Sequence, residues 1–93
     1  MNFIEIFNYV AKVARPAHVK VIAATSMEDK FGDLGLDSLD GILLMMFITE
    51  IYGISEKDSK DWSPTSIQEL HDLVMAIKTK EPASMEEVAV VCR

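Results

Sequence analysis

Cysteine is almost missing from this sequence. Cys92 is the single one among 93 residues, so no intramolecular disulfide exists to staple the fold, and a reducing compartment is the natural setting. One residue from the end, it reads as an exposed tail thiol. Proline and glycine are also scarce, three and four residues, which excludes a collagen-like or low-complexity chain. Aromatics are 8% of residues while hydrophobics reach 49%, so the core is expected to be aliphatic with methionine filler. Basic charge is short: nine Lys and Arg face fifteen Asp and Glu, a net charge of −6. That field repels phosphate backbones and anionic lipid headgroups, which argues against nucleic-acid and membrane-surface partners. No apolar run is long enough to span a bilayer, and Met1-Asn2-Phe3-Ile4-Glu5 has neither the basic flank nor the continuous apolar stretch of a secretory signal. A soluble, cytoplasmic protein is the expectation. Catalytic constellations are absent too: no Ser-His-Asp, Cys-His or metal-ligand set assembles from these residues, and His18 and His71 stand far apart without nearby ligands. An enzyme is not expected.

What is present is helical spacing. Phe3, Ile6, Phe7, Val10 and Ala14 fall on one side of a first helix that Pro16 stops. From Ala17 to Asp37 no period is sustained, and a long loop is expected, pinned by Val19, Val21, Ile22, Met27, Phe31 and Leu34. Val19-Lys20-Val21-Ile22 has strand-like composition, with Val88 to Val91 as its one conceivable partner, too little for a sheet. Leu39 to Tyr52 predicts a second helix closed by Gly53, and the polar stretch Ser55 to Asp61 a short third one. A further helix starts near residue 65, where Ser63-Pro64 and the capping-box pair Ser66 and Glu69 both signal an N-terminus. Ile67, Leu70, Val74 and Ile77 line its inner face, Leu73 widens it, and Pro82 ends the run. The sum is an all-α fold: a four-helix bundle with a long first loop and a short third helix over residues 1–80, and a C-terminal extension, 81–93, that forms either an extra helical turn or a docked extended strip. In that extension Ser84 and Glu87 again have capping-box spacing.

The chemistry concentrates in Asp33-Leu34-Gly35-Leu36-Asp37-Ser38-Leu39, which brings a serine hydroxyl to the junction of a glycine-bearing loop and a helix start. A phosphodiester formed there would face the free N–H groups and positive end of the helix. Asp37 and Ser38 are also ordinary N-cap residues, either of which stabilises a helix by about 1 kcal/mol with no function implied. A calcium loop fails on spacing, because Ser38 stands sixth from Asp33, where such loops need glycine.

Those seven consecutive residues resemble the signature of acyl carrier proteins, and the helical pattern from Phe3 to Ile77 is similar to the family's four-helix bundle. The resemblance implies that Ser38 receives 4′-phosphopantetheine from coenzyme A through a phosphopantetheinyl transferase. Asp37 and Leu39 then flank the site as partner contacts, with Asp40 and Glu50 adding acidity along the helix. Acyl intermediates would travel as thioesters on the arm's thiol, for fatty-acid or polyketide-type biosynthesis, and synthase, transferase or dehydratase enzymes would do the chemistry on what is expected to be a monomeric carrier. A peptidyl or aminoacyl carrier uses a similar site, and a structural subunit docking through the second helix is a third reading.

The second helix departs from that family pattern. With Leu44, Ile48 and Ile51 or Tyr52 turned to the core, Leu39, Ile42, Leu43, Met46 and Phe47 lie mostly elsewhere, more apolar surface than an amphipathic helix carries. Coverage by the C-terminal extension and a hydrophobic partner surface made of Ile42, Leu43, Met46 and Phe47 are both consistent with it. Gly41, inside this helix, costs about 1 kcal/mol relative to alanine; it is either room for close approach of the arm or a partner, or a tolerated imperfection. Phe31, Leu44, Ile48, Ile54, Trp62 and Leu70 are candidates to line an internal acyl tunnel.

Overall fold

A computed structural model describes residues 2–15 and 22–92, and among them the chain is all-helical with no strand. The helices are α1 (Phe3–Ala14), α2 (Ser38–Ile51), α3 (Glu56–Ser59), α4 (Ile67–Ile77) and α5 (Met85–Val91), with a 3₁₀ turn at Gly32–Leu34. This agrees with the expected bundle of acyl-carrier type. Pro16, His18, Val19 and Val21 lie outside the described residues, so most of the strand-like stretch does too. Ile22 is 53% exposed and is not the loop anchor expected of it.

Each helix begins on a side chain that accepts from its first turn. In α1, Asn2 accepts from the Glu5 N–H at 2.9 Å and the Glu5 carboxylate returns the contact to Asn2 N at 3.3 Å. Phe3, Ile6, Phe7, Val10 and Ala11 are buried, and Ala11 takes the inward place expected of Ala14, which sits at the helix's last, half-exposed turn. Helix α4 uses Ser66 as its cap, not Ser63. It stops at Ile77 because the chain then peels away to tie down the end of α2: Thr79 N and Lys80 N both donate to the Tyr52 carbonyl, at 3.0 and 3.3 Å, and the Thr79 hydroxyl donates to Gly53 O at 2.6 Å. Gly53 has φ +66°, and a Cβ there would collide with Thr79 Oγ1, so the turn after α2 requires glycine on both counts.

The described part of the long loop is held at several points. Asn8 on α1 grips Ala24 by both backbone groups, at 2.8 and 3.0 Å. Phe31 stacks on Phe7 with centroids 5.6 Å apart, and Leu34 and Leu36 are buried. Two loop carbonyls, Met27 and Asp29, accept from Gln68 N and Ile67 N at 2.7 and 3.1 Å, satisfying orphan donors of α4. The loop is therefore part of the core wall, and it delivers Asp37 to the start of α2 in a fixed register.

The C-terminal segment supplies α5, capped by Ser84, which packs against α1 and α2. Val88 on it is fully buried together with Phe7, Val10, Leu44, Ile48, Ile67, Leu70 and Val74. Cys92 is 6% exposed at the end of α5, not the exposed tail thiol expected from its position. Burial, with the Glu50 carboxylate nearby, pushes its thiol pKa up.

Candidate functional site

Asp37, not Ser38, caps α2. Its carboxylate accepts from Asp40 N at 2.9 Å while the Asp40 carboxylate accepts from Asp37 N at 3.1 Å, a reciprocal capping box closed by two aspartates. The Asp40 N–H holds the exposed Asp37 carboxyl below the usual carboxylate range, with smaller contributions from the Asp40 side chain, the Leu39 N–H and the Arg15 charge. Ser38 is thus the first helical residue and is exposed, its side chain free of the capping duty.

Beside that hydroxyl opens a cleft of about 380 Å³, lined mainly by apolar groups: Phe31, Leu36, Ile42, Met45 and Pro64, with Gly41 in its α2 wall. A Cβ added at Gly41 would meet nothing within 4 Å, so the missing side chain leaves open space at the cleft. A second cleft, about 320 Å³, continues past Ile42 and Met45 toward Thr49, Glu56 and Ser59. Of the six residues suggested to line an acyl tunnel, Phe31 reaches the cleft beside Ser38, while Leu44, Ile48 and Leu70 have no solvent exposure and Ile54 is 7% exposed.

The structure divides the sequence-predicted partner residues of α2 into four groups. Leu39, Ile42 and Met46 are 64, 55 and 62% exposed, at spacings of three and four that align them along one stripe. Asp37 and Glu50 are exposed near its ends. Leu43 and Phe47 are only half-exposed, Phe47 packing against the core. Asp40 departs furthest from expectation: it is 8% exposed, and its carboxylate faces inward to Asp37 N and, at 3.3 Å, to Arg15 Nε. Arg15 follows the last residue of α1 and also donates through Nη1 to the Gly35 carbonyl in the loop that leads to Ser38.

Sequence reasoning missed Leu36, Met45 and Pro64 as cleft residues and Arg15 as the partner of Asp40. Gly41, odd within a helix, was the one available signal; the others depend on which distant segments meet. His71 sits edge-on to Phe3 with centroids 5.1 Å apart, away from the Ser38 cleft.

Comparison with known proteins gives two relatives. Acyl carrier protein 4, chloroplastic, of Arabidopsis thaliana is 40% identical over 57 residues, 61% of this chain and 42% of that protein. Acyl carrier protein 2, chloroplastic, of Spinacia oleracea is 32% identical over 56 residues, 60% of this chain and 43% of that protein. The chain therefore matches less than half the length of either relative. No family model matches it. No solved structure matches it either. The homology supports the acyl carrier family resemblance carried by Asp33 to Leu39.

Proposed function

We propose that this chain is an acyl carrier protein whose Ser38 Oγ holds 4′-phosphopantetheine, and that it presents acyl groups as thioesters for fatty-acid or polyketide-type biosynthesis. The observation that carries the reading is the exposed Ser38 side chain at the first position of α2 with an apolar cleft at its side. The residues present fit the group. A phosphodiester on Ser38 would lie at the positive end of a 14-residue helix, where an anion is stabilised, and no side chain from Gly41 blocks the adjoining cleft. The arm supplies a terminal thiol that carries the acyl group. This chain's own part is to orient the hydroxyl, to offer Leu36, Ile42, Met45 and Pro64 as cover for apolar cargo, and to present Leu39, Ile42 and Met46 to partners.

Its partners are a phosphopantetheinyl transferase and acyl synthase, transferase or dehydratase enzymes, met along that stripe between Asp37 and Glu50. Asp40 contributes there by fixing the helix start, and Leu43 and Phe47 form the stripe's half-buried flank. The carrier unit is taken as residues 1–80 with α5 docked onto its core, acting as a monomer in a reducing compartment, the cytoplasm or, as for the two plant relatives, a plastid. No described helix is long and apolar enough to cross a membrane. A peptidyl carrier would show the same Ser38 geometry; the homology to acyl carriers favours acyl cargo.

The test is intact mass measurement after incubation with coenzyme A and a broad-specificity transferase. The Ser38 O–P bond forms as the pyrophosphate P–O bond breaks, adenosine 3′,5′-bisphosphate leaves with the electron pair, and the serine proton passes to the transferase. A phosphopantetheine adduct on the wild type, absent from Ser38→Ala, is expected. An unmodified wild type with several competent transferases would overturn the assignment and favour the structural-subunit reading.

A further inference from the structure

The α2 mouth is held by a residue from the end of another helix. Arg15 reaches two groups at once: its Nη1 donates to Gly35 O, and its Nε lies 3.3 Å from Asp40 Oδ2, paired by charge without a directed hydrogen bond. That same Oδ2 accepts from Asp37 N. A continuous set of contacts thus runs from Gly35 through Arg15 and Asp40 to Asp37, the residue before Ser38.

Three features make this more than a surface pair. The two side chains are 14 and 11% exposed, so their attraction is screened less than that of a solvated pair. Gly35 sits at φ +80°, a left-handed turn, and only Leu36 separates it from the capping Asp37; fixing the Gly35 carbonyl and the Asp40 carboxylate confines the whole connection. The planar guanidinium offers donors at fixed angles, so one side chain serves both points, which a single ammonium does less well.

We propose that Arg15 is a positioning residue for Ser38, clamping Gly35 O and Asp40 together so that the serine hydroxyl is offered to the transferase in one orientation. This rests on the assignment of Ser38 as the attachment site. The clamp also neutralises Asp40 from within, leaving Asp37 as the exposed carboxylate next to Ser38.

The experiment measures two quantities on the full chain: the transferase kcat/KM, by time-resolved intact mass, and amide hydrogen exchange residue by residue. Arg15→Gln is expected to lower kcat/KM about tenfold and to speed exchange at the hydrogen-bonded amides of Leu36, Asp37 and Asp40 by a similar factor, while Leu70 and Val74 exchange as in wild type. Arg15→Lys, which keeps the charge opposite Asp40 and loses the fork, should recover part of both. Wild-type transfer and exchange in both variants would overturn the proposal, and so would acceleration spread evenly over all helices, which would mark Arg15 as a general stabiliser. Should the wild type itself accept no phosphopantetheine, the Ser38 assignment fails, and the exchange pattern alone decides the clamp: a local rise at Leu36, Asp37 and Asp40 upholds it, none refutes it.

Discussion

Val88→Ala measures whether the C-terminal helix is structural. Val88 has no solvent exposure and lies on α5 where it packs against α1 and α2. Removing its two methyl groups forfeits roughly 1.6 kcal/mol of transfer free energy at about 0.8 per group. A residual void of about 50 Å³ adds on the order of 1 kcal/mol. Alanine's better helix propensity returns about 0.5 kcal/mol, leaving a net loss of about 2 kcal/mol. For a chain of this size that lowers the melting temperature by roughly 8 to 16 °C. Circular dichroism melts of the variant beside Val90→Ala provide the assay. Val90 is 56% exposed on the same helix, so the propensity change is matched and burial alone differs. Its variant is expected to melt within about 3 °C of wild type. Equal shifts at the two positions would refute the docking of α5, because a seven-residue helix has little stability of its own without tertiary contacts.

Two other outcomes follow from the helix mouth and the outer stripe. The Asp37 carboxyl has its folded pKa depressed below the unfolded value, so its stabilisation is present above the unfolded pKa and is lost as pH falls through the folded one. Asp37→Asn should therefore reduce stability near pH 7 and flatten the acid limb below about pH 4 in urea titrations; an unchanged acid limb would show the cap to be uncharged or unimportant. Met46→Glu places a charge at the C-terminal end of the exposed stripe and should weaken transferase or synthase binding about tenfold or more with less than about 0.5 kcal/mol change in stability. Unaltered binding would remove this face as the partner surface. Phe47 is a poorer probe, since it packs on the core and its substitution mixes binding with folding.

Local signals in the sequence were reliable where the physics is local. Ser66 with Glu69 and Ser84 with Glu87 marked two helix starts by spacing alone, and Gly53 marked an end that its positive φ explains. Periodicity identified the inner faces of α1 and α4 to within a residue or two. Helix α2 resisted because apolar residues surround it, so no period distinguishes the core side from the stripe or the half-covered flank. The placements that sequence could not supply all join remote segments: Arg15 with Asp40, Gly53 with Thr79, and the cleft between Met45 and Pro64. Asp40 shows why. Acidic and near the site, it has the composition of a recognition residue, and the capping box with Asp37 together with Arg15, which follows α1, turns it inward.

That inward turn bears on how such a carrier would choose its partners. Attraction between a partner's basic patch and this face depends on carboxylates that remain accessible, and near Ser38 the capping box and the Arg15 pair leave Asp37 outward and Asp40 inward. Along the same helix the accessible large apolar side chains are Leu39, Ile42 and Met46, three neighbouring groups whose contact energy comes from water released, not from charge. Hydrophobic contact is weakened little by salt, whereas charge steering falls within a screening length of about 8 Å under physiological conditions. Docking on α2 would then draw its specificity from the shape of a partner's apolar socket, with Asp37 and Glu50 setting orientation at the two ends.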